Sequence, residues 1–555
     1  MDIKTLSTVL SVSAQIYADD LQAVAKAGFK SVICNRPDDE GVDQPGFNEI
    51  QAAASREGLE IRYLPAVSGK VTDEQGVAFG KLMDELPKPV LAYCRTGMRS
   101  TTLWALASAG KIALPLIIEA SAKAGFDMKA LVRRVINGGK TPVEVADAKH
   151  EVVIVGGGAA GIATAASLLA RNPNLDIAIV DPADIHYYQP GWTMVGAGVF
   201  DAAFTARTMG SVLPHGVHWI KAAVAAFEPD RNAIILEGCR VVSYKQLVVC
   251  PGLKLDWHGI EGLPESLGRH GVTSNYRYDL APYTWQLVQK LRGGKAVFTQ
   301  PPMPIKCAGA PQKAMYLSAD HWRREGVLNN VDIQFCNAGA VLFGVADYVP
   351  ALMEYIKAYG IGLNFGRTLV GVDGPAQKAT FSQAKPDGSK ELITQDFDML
   401  HVVPPQKAPD FIRCSPLADA AGWIDIDPGT LRHKTYANVF ALGDAGNTSN
   451  AKTAAAARKQ APVVAHNLLA SRGEAKGEAQ YDGYGSCPLT VERGKIVLAE
   501  FTYGGKLAPS FPKWLIDGTQ PSALAWYLKE RILPPLYWDA MLKGREWLAQ
   551  PEMVG

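Results

Sequence analysis

Glu151-Val152-Val153-Ile154-Val155-Gly156-Gly157-Gly158-Ala159-Ala160-Gly161 decides the fold of this chain. It is continued by Ile162 to Ala170 and by Ile177-Ala178-Ile179-Val180-Asp181. Val152 to Val155 is an apolar run of strand length, and a G-x-G-x-x-G turn follows at once. Ile162 to Ala170 reads as a helix, Ile177 to Val180 as a second buried strand, and Asp181 ends it. Gly156 allows the tight turn, Gly158 lets the backbone approach a pyrophosphate, and Gly161 lets the helix pack close to the sheet. The free N–H groups and dipole of a helix N-terminus favour the anion. Asp181 is placed to bind a ribose hydroxyl. Gly156, Gly158, Ala160, Gly161 and Asp181 are therefore cofactor-binding candidates. Residues 152–170 are apolar enough to suggest a membrane span. Three consecutive glycines and the flanking strand signals argue against it.

Away from this stretch, 555 residues suffice for three or four domains. A formal net charge of +1 excludes the basic field of a nucleic-acid-binding protein, and 48% hydrophobic residues fit a core-rich globular chain. Met1-Asp2-Ile3-Lys4 lacks the basic-then-apolar pattern of a signal peptide. The eight cysteines form no C-x-x-C pair, so no metal site is expected. Scattered cysteines in such a chain are read as reduced core residues or catalytic thiols.

Residues 1–145 alternate strand and helix from Asp19 onward and predict a small α/β domain. Pro89 to Tyr93 is a strand that runs into Cys94-Arg95-Thr96-Gly97-Met98-Arg99-Ser100, with a helix after it. Backbone N–H groups, a helix N-terminus and Arg99 all stabilise a thiolate at Cys94. The domain resembles phosphatase-like sulfurtransferases, whose fold is that of dual-specificity phosphatases. Tyrosine phosphatases place five residues between Cys and Arg, whereas four lie between Cys94 and Arg99. The shorter ring suits a persulfide sulfur better than a phosphoryl group, which makes Cys94 and Arg99 catalytic candidates for sulfur transfer. Asp38 is read as a turn residue rather than an acid. Two helices, 114–124 and 128–137, and a linker at 138–150 complete the region.

Residues 150–500 read as a tandem-Rossmann flavoprotein with two dinucleotide-binding domains. Tyr244 to Gly252 is a strand ending in a tight turn, and Asn438 to Asp444 is a strand ending on an acid. In two-dinucleotide flavoproteins the latter carboxylate serves the ribityl chain, and the helix opening at Lys452 lies beneath the ring. The expected cofactor is FAD. Lys295 to Gln300 begins the second nucleotide domain. A glycine-rich turn should follow it, yet Pro301 to Lys313 offers prolines and Cys307 instead. NAD(P)H is thus disfavoured as reductant, and a thiol route to the flavin is expected. Cys487 lies 180 residues beyond Cys307. Residue type alone favours inert core positions for both.

The strings Pro304 to Lys313, Pro416 to Trp423 and Tyr481 to Leu489 resemble the sulfide:quinone oxidoreductases, particularly the mitochondrial type and its bacterial relatives. The resemblance implies that Cys307 and Cys487 are a redox pair. It also implies FAD contacts at Gly161, Asp181, Gln189, Val224, Asp444 and Lys452. Cys239, Cys250, Cys336 and Cys414 match no catalytic position and are read as structural. The tail, 501–555, is rich in Trp, Tyr, Leu and Lys and cut by prolines. It suits a membrane interface near the quinone, with an ordinary docking segment as the alternative. The implied partners are sulfide, a membrane quinone, and a small thiol or sulfite as sulfur acceptor. A peripheral position on the cytoplasmic side of a membrane is expected, and a homo-oligomer is compatible with the sequence. The rival reading is a tyrosine-phosphatase-like domain joined to an NAD(P)H-dependent flavin dehydrogenase that serves as a redox sensor.

Overall fold

Three of the five strands in the N-terminal sheet are buried along their whole length, as expected of strands covered on both faces. The computed structural model describes residues 2–41, 44–128, 131–141, 146–237, 240–385 and 388–554. The chain divides into two units. The first comprises Met1–Lys149, Ala223–Ser243 and Asp410–Ala418, and the second comprises the remainder.

In the first unit the sheet order is Ile3–Thr5, Leu10–Ser13, Val90–Tyr93, Ser31–Cys34, Glu60–Tyr63. Only the first pair is antiparallel. That hairpin lies before Asp19, where the sequence reading begins. Its strands are three and four residues long and partly serine, so neither period nor propensity marks them. The central strand Val90–Tyr93 delivers Cys94 to the N-terminus of the helix Met98–Ala107. The expected helix at 128–137 is narrower, Val132–Ile136. Val132 and Ile136 pack on Ala226, Ala233, Ile235 and Val241 of an antiparallel meander.

The second unit holds the fingerprint. Its sheet runs Val217–Ile220, Ile177–Val180, Ala146–Val155, Val241–Val249, with Val439–Ala441 beside the last. Ala146–Val155 begins inside the stretch expected to be linker, so the linker is shorter than 138–150. Of that expected linker, 142–145 lie outside the described residues, as does Cys239. The helix after the glycines spans Ala159–Arg171. Gly156 has φ +107°, and a side chain on Gly161 would come within 1.9 Å of the Gly156 carbonyl. Both positions therefore require glycine.

A second parallel sheet orders Val272–Thr273, Met399–His401, Gly294–Gln300, Val331–Asn337, Gly362–Phe365. Gly294–Gln300 leads through the proline-rich loop into the helix Ala310–Arg324. The antiparallel pair Gly485–Glu492 and Lys495–Phe501 carries Cys487. Among the described residues no helix is long and apolar enough to cross a membrane.

Candidate active sites

Cys307 and Cys487, far apart in sequence, face each other with their sulfurs 3.7 Å apart. Two backbone facts put them there. Cys307 has φ +50°, and its N–H donates to the Lys452 carbonyl at 2.9 Å. Cys487 is buried within its strand. The Lys313 ammonium, in the first turn of the helix that follows Cys307, donates to the Cys307 sulfur at 3.2 Å. The hydrogen bond from the Cys487 thiol, with the Lys313 charge, holds Cys307 well below the usual thiol range. Cys487, the donor in that bond and buried, is pushed well above it. Charge is thus favoured on Cys307 and disfavoured on Cys487.

The tail supplies a further cation. Lys529 is buried, and its charge is felt at Cys307. Burial, with the nearby Lys313 charge, lowers its pKa to about 7. Sequence reasoning missed Lys529, because a lysine among tail aromatics reads as an interfacial residue. Lys313 was within the quoted string but had no role. Its position six residues after Cys307, just inside a helix, was the available signal.

Apart from Val224, the other expected residues are linked to this pair by a chain of contacts that forms one wall. The Asp181 carboxylate accepts from Gly157 N–H at 2.6 Å and from Ala183 N–H at 2.8 Å. A side chain on Gly443 would lie 3.3 Å from Ala160, so the turn bearing Asp444 abuts the start of the fingerprint helix. Lys452 donates to the carbonyls of Asp444 (2.9 Å) and Gly446 (2.7 Å), and burial lowers its pKa to about 8. Gln189 accepts from Lys306, the neighbour of Cys307. Val224 begins a strand of the first unit.

At the Cys94 loop, Gly97 N–H donates to the Cys94 sulfur at 3.1 Å, and Cys94 is fully buried. Arg99 is buried too. Its two terminal nitrogens grip Glu40 at 2.7 Å each, and one also donates to the Ala66 carbonyl at 2.8 Å. Arg36 Nε donates to the same carboxylate at 2.8 Å. The Arg99 hydrogen bonds hold Glu40 below the usual carboxylate range. Asp38 accepts from Phe47 N–H at 2.8 Å, at the start of the helix Phe47–Arg56. The site's carboxylate is Glu40, which no motif marked.

A family model described as "Pyridine nucleotide-disulphide oxidoreductase" matches residues 150–288. Another, "Beta-lactamase hydrolase-like protein, phosphatase-like domain", matches residues 2–111. The mitochondrial sulfide:quinone oxidoreductase of Dictyostelium discoideum is 41% identical over 398 residues, covering 71% of this chain and 86% of that protein. The chain belongs to the sulfide:quinone oxidoreductase family. The oxidoreductase of Aquifex aeolicus shares the fold, with a TM-score of 0.60 at 18% identity over 72% of this chain and 92% of that one. The beta-lactamase hydrolase-like protein of Agrobacterium fabrum is 33% identical over 126 residues, 22% of this chain and 29% of that protein.

The cofactor of this sulfide:quinone oxidoreductase-family chain is FAD, and the residues fit it. The space in front of Gly158 is open at a helix N-terminus, as a pyrophosphate requires. The Asp444 carboxylate has no hydrogen-bond partner among the described residues, and burial raises its pKa, as suits an acceptor for sugar-like hydroxyls. Three of the cysteines read as structural lie in packed surroundings. Cys250 donates to the Gly156 carbonyl at 3.7 Å, Cys336 sits in a core, and Cys414 packs on the core of the first unit.

The tail is only partly a surface element. Trp514 and Leu548 are 83% and 76% exposed, and Leu524, Tyr527, Ile532 and Trp547 are exposed with them. Tyr537, Trp538 and Leu542 are buried. The segment thus carries exposed apolar residues at some positions and docked ones at others.

Proposed function

We propose that the chain oxidises sulfide at Cys307 and Cys487, passes the electrons through FAD to a membrane quinone, and transfers sulfane sulfur at Cys94. The observation that carries the first part is the thiol pair under Lys313, where a pyridine-nucleotide user would have its glycine turn. In the oxidised pair the sulfurs are joined. HS⁻ attacks one of them, the S–S bond breaks, one cysteine becomes a persulfide and the other leaves as thiolate. Lys313 favours Cys307 as the leaving thiolate, because its ammonium already stabilises charge there. Bound FAD supplies a two-electron acceptor on the donor side and a reductant for quinone. Lys452 and Lys306 place positive charge along the wall where that acceptor fits. The sulfane sulfur then leaves to a small nucleophile such as sulfite or a thiol. The exposed aromatic and aliphatic residues of the tail support a peripheral site on a membrane surface, where a quinone is reached.

At Cys94, the Gly97 N–H donates to the sulfur and the Arg99 guanidinium is buried in the same loop, donors suited to holding a sulfane sulfur there. The test is anaerobic: bleaching of the flavin by sulfide and not by NADH supports the reading. Bleaching by NADH with indifference to sulfide overturns it.

A further inference from the structure

The tail reaches the dinucleotide fingerprint at two separate places, through His186 at the turn and directly at the helix. The first is the turn. His186 is buried, with Nδ1 at 3.1 Å from the Gly157 carbonyl and Nε2 at 2.6 Å from the Tyr537 hydroxyl. A carbonyl only accepts, so Nδ1 must carry the proton, and Nε2 must accept from Tyr537. Burial lowers the His186 pKa and raises that of Tyr537, so each keeps the role this chain requires. With Gly157 N–H already bound to Asp181, both backbone groups of Gly157 are fixed, the carbonyl by His186, which Tyr537 of the tail orients in turn. The second place is the helix. Glu546 accepts from Ser167 Oγ at 2.5 Å and grips Arg171 at 2.5 and 2.9 Å. Ser167 and Arg171 lie on one side of the fingerprint helix, four residues apart.

We propose that Tyr537 and Glu546 are positioning residues for FAD: the tail holds the Gly156–Gly158 turn and its helix in the cofactor-binding geometry. Docking of the tail and retention of FAD are then coupled, and each strengthens the other by the same factor. The inference rests on FAD as the cofactor and not on the thiol chemistry.

The test uses full-length apo-protein reconstituted with FAD, with affinity read from quenching of flavin fluorescence. Tyr537→Phe keeps the ring but removes the donor, and should weaken FAD binding about tenfold, as loss of a buried hydrogen bond implies. Glu546→Gln should act in the same direction. The discriminating readout is the rise in Tm that FAD causes. A positioning role shrinks that rise, whereas general destabilisation lowers apo and holo Tm together. Wild-type FAD affinity in both variants, or an unchanged FAD-induced rise in Tm, would overturn the proposal. Hydrogen exchange on the wild type decides the matter if a variant does not fold. At least about tenfold protection of amides 537–546 by FAD supports the coupling, and unchanged exchange there refutes it. Failure of sulfide to bleach the flavin of FAD-loaded wild type would instead count against the proposed chemistry and leaves these FAD readouts unaffected.

Discussion

Cys307 and Cys487 are pushed in opposite directions although they are neighbours, and the difference comes from one hydrogen bond and one lysine. Cys307→Ser and Cys487→Ser should each lower sulfide-driven quinone reduction by roughly a thousandfold while FAD remains bound. Normal turnover in either would remove the pair from the mechanism. Lys529 adds a pH dependence. Its pKa is lowered by burial to about 7, so its charge near the thiols is present below that pH and lost as pH rises through it. The rate of flavin reduction by sulfide in wild type, divided by that in Lys529→Met, should therefore fall as pH rises through about 7. A flat ratio would show that the charge does not act on the thiols. At the other site, Glu40→Gln weakens the grip on Arg99 and should slow Cys94 persulfide formation about tenfold, as mass spectrometry of the Cys94 peptide would show. Equal rates would leave Glu40 without a role. Most of these residues were legible as chemistry: a cysteine in place of a glycine turn, a Cys–x4–Arg loop, an acid after a strand. Glu40, Lys529 and His186 were not. Their roles depend on which distant element they meet, and no spacing encodes that.

At the scale of elements, the fingerprint strand, helix and acid were readable because turn chemistry and hydrophobic period agree over the whole stretch. The first hairpin was not, because seven residues in two strands carry too little pattern. The tail was half legible. Its composition marks an apolar segment, but composition cannot say which aromatics face inward. Trp514 and Trp547 are exposed, and replacing both by Ala should weaken binding to vesicles about tenfold. Unchanged vesicle binding would remove them from the membrane contact. Deletion after about residue 510 is a harsher change than the sequence suggests. It removes Lys529 from the thiols and Tyr537 and Glu546 from the fingerprint, so activity with a short soluble quinone should be lost along with membrane binding.

For the whole molecule, the two proposed sulfur chemistries sit in different units, each with its own core. Cys94→Ser in the full chain should abolish persulfide transfer to cyanide or a thiol and leave sulfide-driven flavin reduction near the wild-type rate. A halt in flavin reduction would mean that the sites are not separable. The α/β class and the tandem nucleotide domains were evident from the alternation of elements. The exchange of segments was not: strands at 223–243 and the turn at 410–418 belong to the first unit although they lie inside the flavoprotein stretch.

That exchange bears on how such a gene can be cut and joined. The meander of Val224–Glu228, Ala233–Leu236 and Val241–Val249 turns Ala226, Ile235 and Val241 toward Val132 and Ile136 of the N-terminal region. A break made at residue 145 looks clean on the chain, yet it leaves an apolar patch on each fragment. Fragments expressed separately are therefore expected to stick, to themselves or to each other, unless those five positions are made polar. A recombination that swaps the N-terminal region for another must bring a matching apolar helix with it.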